Sequence, residues 1–151
     1  MKLMFKQRLF SWLDSYDVFD RDGSAVYTVK GELSWGHRLQ IHDARGEHLG
    51  TVQEKVFTLL PQFQLYLGDR LAGTITKEFT FFRPRFTLDC NGDLWEWDSQ
   101  VMDGSRTVMS LQKQVWNWTD TYSMNIPQPK DALLCLMIVL AIDAAKCSQG
   151  K

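Results

Sequence analysis

A chain of 151 residues with 17 basic and 18 acidic side chains, a formal net charge of −1, has no bulk electrostatic attraction for nucleic acid or an anionic membrane. At 44% hydrophobic and 23% charged residues it is an ordinary globular composition, long enough to bury a core as a single domain over 1–151. Three cysteines, Cys90, Cys135 and Cys147, form neither an even set nor a Cys-x-x-Cys pair, which argues against a disulfide framework and for a reducing, cytoplasmic setting.

The N-terminus is broken by Lys2, Lys6 and Arg8, so no uninterrupted apolar h-region of a signal peptide is expected. From there to Pro127, short β-favouring runs alternate with turn signals. Strands are expected over Leu3–Leu9, Tyr16–Phe19, Ala25–Gly31, Arg38–His42, His48–Val56, Gln62–Leu67, Arg70–Glu78, Arg85–Leu88, Leu94–Val101, Thr107–Val115 and Thr121–Ile126. Between them stand Asp22-Gly23, Asp43 to Gly46, Gly68-Asp69, Asn91-Gly92 and Asp103-Gly104, the residue types that tight turns demand. No amphipathic helical period intervenes, so the strands are expected to be antiparallel.

The chain also repeats itself. Leu49 to Leu65 aligns with Ala72 to Leu88, 23 residues later, and a weaker copy runs from Leu111 to Met124. Each copy reads as strand, aromatic corner, strand, with Pro61 and Pro84 at the start of the second strand, where a missing N–H is tolerated. Hairpins that cannot each bury a face alone stack or close on one another.

The last element differs in kind. Ala132 to Ile142 holds eleven residues without a polar side chain. Pro127 and Pro129 precede it, Asp131 offers a cap and Lys146 suits a helix C-terminus. A helix is expected over 131–146. It is apolar on every side, yet a bilayer span needs roughly 20 such residues, and Asp143 ends the run too early. The fold expected is therefore mainly β: a closed antiparallel β-barrel of about twelve strands around a central hydrophobic C-terminal helix.

Several motifs together resemble a family. They are Lys6-Gln7, Phe10-Ser11, Tyr27-x-Val29-Lys30-Gly31, Ser34-x-Gly36, Leu39-x-Ile41-x-Asp43-x-x-Gly46, the Phe79 to Phe86 corner, Trp116 to Tyr122, and Asp131 through Ala141-Ile142-Asp143. In this order they resemble the LURP-one-related proteins, which belong with the tubby-like C-terminal domains and the phospholipid scramblases. The resemblance implies a twelve-stranded barrel around a C-terminal helix. Between Leu88 and Trp95 this chain is shorter than the family pattern, by about one strand.

Sites of chemistry are sparse. His37, His42 and His48 lie at spacings that match no helical metal motif, and they read as surface or turn histidines. Asp20-Arg-Asp22-Gly23 is a fragment of a calcium loop without its distal Glu. Gly31 to Gly36 is not Gly-x-Ser-x-Gly, Cys90 has no neighbour in sequence to lower its pKa, and Glu96 and Asp98 read as a solvated strand face. No enzyme, metal or cofactor is expected. Asp131 reads as a helix cap, and Asp143 should find a donor at the end of the apolar run. The suggestive polar feature is basic: Lys55, Lys77, Arg83 and Arg85, beside Phe81 and Phe82, suit an anionic lipid headgroup. Tubby-type domains bind phosphoinositides through basic barrel-surface residues, so the resemblance points the same way. The reading is a non-enzymatic cytoplasmic module that meets anionic phospholipid or phosphoinositide at the membrane surface. The alternative is a protein-interaction or scaffold domain presenting Trp95, Trp97, Trp116 and Trp118.

Overall fold

In the computed structural model the described residues are 1–6, 15–32, 34–78, 85–90, 93–97, 100–103, 105–116 and 119–148. Twelve strands precede one helix: β1 (Lys2–Lys6), β2 (Ser15–Phe19), β3 (Ala25–Glu32), β4 (Arg38–Asp43), β5 (His48–Lys55), β6 (Gln62–Leu67), β7 (Arg70–Glu78), β8 (Arg85–Cys90), β9 (Asp93–Trp97), β10 (Gln100–Asp103), β11 (Arg106–Trp116), β12 (Thr119–Asn125) and α1 (Ala132–Ser148). The molecule is mainly β, an antiparallel sheet with a C-terminal helix. Each strand from β2 to β11 pairs with the next in sequence, and β12 pairs with β1 over five residues, Lys2–Lys6 against Asn125–Thr121. β1 meets β2 at one residue pair, Met4 opposite Phe19.

Alternation decides which face of each strand is inside. Val29, Ile41, Val52, Leu65, Ile75 and Leu88 are buried, with Val29 opposite Ile41, Val52 opposite Leu65 and Ile75 opposite Leu88. Their sequence neighbours Lys30, Gln40, Gln53, Gln64 and Thr76 therefore fall on the outer face. The inner row packs on α1, whose residues Cys135 to Ile142 are each no more than 2% exposed. A helix this apolar on every side is stable only when enclosed on every side, and the sheet wraps it. No described helix is long and apolar enough to cross a membrane.

Turn chemistry follows the residues closely. The Asp20 carboxylate accepts from the backbone N–H groups of Asp22 and Ser24, and that of Asp43 from those of Arg45 and Glu47. Gly23, Gly46 and Gly68, at φ 81°, 86° and 58°, take the left-handed positions that side chains resist. All three lie at the same end of the sheet, opposite the connections after β3 and β5.

Two expectations need correction. The run Leu94–Val101 is two strands, β9 and β10, with Val101 opposite Trp97. Nor is a strand missing between Leu88 and Trp95: β9 pairs directly with β8, Leu88 opposite Trp95. The turns Asn91-Gly92 and Asp103-Gly104 fall wholly or partly outside the described residues.

The helix begins a residue later than expected, behind a 3-10 turn at Pro129–Asp131. The Asp131 carboxylate engages Arg106 at 3.1 Å. α1 then runs back alongside the strands: Cys135 near its start donates to the Val108 carbonyl at 3.9 Å, and Asp143 near its end accepts from the Tyr122 hydroxyl at 3.0 Å.

Candidate functional site

Antiparallel order sends the β3–β4 and β5–β6 connections to one end of the sheet, and among the described residues these two carry the most exposed large apolar side chains. Trp35 is 81% exposed, Phe57 95% and Leu59 fully exposed, with Val56 and Leu60 partly so. Scattered exposed leucines are ordinary on protein surfaces; a contiguous aromatic and aliphatic cluster marks an interaction site.

The two connections are held together. His37, just after Trp35, donates its backbone N–H to the Glu54 carboxylate at 2.8 Å, and its ring Nδ1 lies 2.6 Å from the same oxygen. The Glu54 N–H in turn donates to the His37 carbonyl at 2.8 Å. Gly36, at φ 85°, leaves no room for a side chain: a Cβ there would sit 3.0 Å from Val56 Cγ1 and 3.2 Å from Glu54 Cβ. Trp35 and the Val56–Leu60 segment therefore form one tip on a fixed base. Phe57 has φ 62°, a conformation that a bulky residue adopts only under strain, and such strain collects at functional positions.

The interior carries polar groups near the end of α1. Asp143 accepts from Tyr122, and Phe5 stacks between Tyr122 and Tyr16 at centroid distances of 5.2 and 6.0 Å. Burial, and then the Asp143 charge, push the Tyr16 hydroxyl far above its ordinary pKa, so it stays protonated. Asp143 thus has the donor expected of it. These groups anchor the helix end to β1, β2 and β12.

The basic group read from the sequence is placed as follows. Lys55 is exposed at the end of β5, opposite Gln62, which stands opposite Thr76. Lys77 follows Thr76 and is paired with the buried Phe86, so by alternation Lys55 and Lys77 project to opposite faces. Arg85 stands opposite Glu78 in register, while its side chain, like the whole of Arg83, Phe81 and Phe82, lies outside the described residues. So do Trp118 and the side chains of Trp95, Trp97 and Trp116. Lys55 and Lys77 are both described near the tip, Lys77 donating its backbone N–H to the Pro61 carbonyl at 2.9 Å, but Lys55 alone of the two is on the outer face.

The histidines separate into two arrangements. His37 belongs to the tip base. His42 lies opposite His48 across a β-bulge, ring centroids 5.6 Å apart, and His48 Nε2 lies 2.9 Å from Thr51 Oγ1. Burial, then Lys30 and His48, hold the His42 pKa below its usual value.

The tip was legible only in part. Trp35 sits between Ser34 and Gly36, and Leu59-Leu60-Pro61 fills a connection between two expected strands. Apolar residues in a turn, with no strand face to bury them, were the available signal.

Comparison with known proteins gives three findings. The model of the family described as LURP-one-related matches residues 1–143. The chain is 32% identical over 149 residues to Uncharacterized protein YxjI of Bacillus subtilis (strain 168), covering 95% of this chain and 92% of that one. No solved structure matches.

Proposed function

The chain belongs to the LURP-one-related family, and we propose that it is a non-enzymatic, cytoplasmic binding module that docks on the surface of phospholipid membranes. The observation that carries this reading is the tip of Trp35, Phe57, Leu59 and Leu60 on two braced connections at one end of the molecule. A Trp beside aliphatic residues suits the bilayer interface, where an amphipathic ring sits at headgroup level. In this reading the sheet is a barrel whose wall closes where Met4 meets Phe19, and the tip is its leading end.

Magnitudes rank the forces. Fully burying a Phe or Leu side chain is worth roughly 1.5–3 kcal/mol, and even partial insertion of three such residues exceeds the roughly 1 kcal/mol that one cation gains near an anionic leaflet. Around the tip, Glu54 is taken by His37 and Glu32 lies 2.9 Å from Arg38, which leaves Lys55, among the described residues, as a cation to face headgroups. Docking should therefore persist on neutral lipid and strengthen modestly with anionic lipid. Lys77, Arg83 and Arg85 add to that increment to the extent that they reach the same side.

Flotation with vesicles of phosphatidylcholine, alone and mixed with phosphatidylserine, tests this. The parent protein should float with both, more with the mixture, and Trp35→Ser or Phe57→Ser should release it from both. Failure of the parent to float with either would end the proposal. The scaffold alternative rests on Trp95, Trp97, Trp116 and Trp118, whose side chains lie outside the described residues.

A further inference from the structure

The outer face of β4, β5 and β6 is polar throughout its middle. In register, Arg38 stands opposite Gln53, and Gln53 opposite Gln64; one step along, Gln40 stands opposite Thr51, and Thr51 opposite Tyr66. Outer-face positions of a strand are expected to be solvated, yet Thr51 is only 7% exposed. It forms the floor of a depression of about 430 Å³ walled by Arg38, Gln40, His48, Gln53 and Tyr66, with Asp69 at its rim. The depression is open to solvent and its lining is mostly polar, which suits a polar ligand held at the surface rather than an apolar one enclosed.

The walls are already partly ordered. His48 is 2.9 Å from Thr51 Oγ1, the Tyr66 hydroxyl donates to Gln64 Oε1 at 3.1 Å, and Arg38 Nη1 reaches Gln53 Oε1 at 3.5 Å. Groups held on paired strands lose little freedom when they bind. Their chemistry is mixed. Two carboxamides, a hydroxyl and an imidazole each offer donors and acceptors, while the Arg38 charge is met by Glu32 and Asp69 adds a carboxylate at the far rim. No apolar recess is present for an acyl chain. The Tyr66 ring is the aromatic surface available.

From this arrangement we infer that the depression binds a polyhydroxylated ring, a neutral sugar. Adjacent hydroxyls present alternating donors and acceptors that a carboxamide can meet in pairs, and the C–H face of the ring packs on an aromatic surface. A multiply charged phosphate would find one guanidinium, already paired. The site lies on the outer wall, its Arg38 and Gln53 end adjoining the tip base and its Thr51, Tyr66 and Asp69 end running away from it, and its existence does not depend on membrane docking. The sugar could be free or could be the headgroup of a glycolipid.

The experiment is a titration of uniformly ¹⁵N-labelled protein with glucose, galactose and mannose, and separately with inorganic phosphate. Saturable shifts at Gln40, Thr51, Gln53 and Tyr66 with at least one sugar are expected. Gln40→Ala and Gln53→Ala should each weaken binding about tenfold, the size of a lost hydrogen bond; Gln40→Ala should leave the melting temperature unchanged, whereas Gln53→Ala also removes the bonds to Arg38 and to the Glu54 carbonyl and should lower it slightly. Flotation with galactosyl-lipid vesicles in a Trp35→Ser background, where the tip no longer contributes, separates the sources. Binding there that Gln53→Ala abolishes supports the site with a lipid-borne sugar, even if free sugars bind too weakly to saturate. Shifts with phosphate alone, or neither sugar shifts nor glycolipid flotation, would overturn the inference while leaving the tip proposal untouched.

Discussion

Gly50 is where the enclosure of the helix can be tested most sharply. It lies on the inner face of β5, opposite Ile41 on one side and Leu67 on the other. A Cβ added there would sit 2.6 Å from the Tyr66 carbonyl oxygen and 3.1 Å from the Met137 sulfur of α1. The two obstacles differ in stiffness. Met137 is an unbranched side chain that can turn away, whereas the Tyr66 carbonyl belongs to β6, which is paired on both edges with β5 and β7. The strand itself must shift. Overpacking of this kind costs about 1–3 kcal/mol, and at 2–4 °C per kcal/mol for a domain of this length Gly50→Ala should lower the melting temperature by about 2–12 °C.

Circular dichroism melts of three variants decide the cause. Gly46→Ala, where φ is 86° but nothing lies within 4 Å, isolates the backbone penalty of roughly 1–2 kcal/mol. Met137→Ala alone should cost about 2–5 kcal/mol as a buried truncation. Gly50→Ala with Met137→Ala should be nearly additive if the carbonyl is the obstacle, and clearly less than additive if the sulfur is. A Gly50→Ala protein that melts with the parent would refute the close approach of β5, β6 and α1.

Other outcomes follow from particular residues. Phe57→Gly removes a side chain from a left-handed position, so urea unfolding should show a gain of about 1 kcal/mol, while flotation with vesicles should weaken. Met137→Asp would place a carboxylate at a position with 0% exposure and should prevent folding, at a cost of several kcal/mol; soluble protein with a cooperative melt would contradict the enclosure. His42 gives a pH test. Its folded pKa is lowered by burial, then by Lys30 and His48, so the unfolded chain binds the proton more readily. Its contribution is present above about pH 6.5 and is lost as pH falls through the folded value. Urea unfolding along a descending pH series should show this fall, and His42→Gln should flatten it.

Much of this protein was determined by its sequence alone. Ala132 to Ile142 is apolar on every face of a helix and too short for a bilayer, so it had to be enclosed by its own chain. Period-two alternation placed Val29, Ile41, Val52, Leu65 and Ile75 on the inner face, and the turn residues at Asp22-Gly23, Asp43 to Gly46 and Gly68-Asp69 located the β2–β3, β4–β5 and β6–β7 connections. Where strands divide was less legible: Leu94 to Val101 reads as one strand by its tryptophans, yet the turn-favouring Asp98-Ser99 falls between Trp97, where β9 ends, and Gln100, where β10 begins. Surface sites were the least legible of all. Lys55 and Lys77 look like partners in sequence, but register sends them to opposite faces, and a slip of one residue is enough to do so. Trp35 and Phe57 lie 22 residues apart in the chain and meet because the strands that carry them all turn at the same end. Likewise Gln40, Thr51 and Tyr66 are unremarkable until pairing lines them up. Local sequence sets which face of a strand is buried; which exposed residues become neighbours depends on pairing between distant segments, which only the tertiary structure decides.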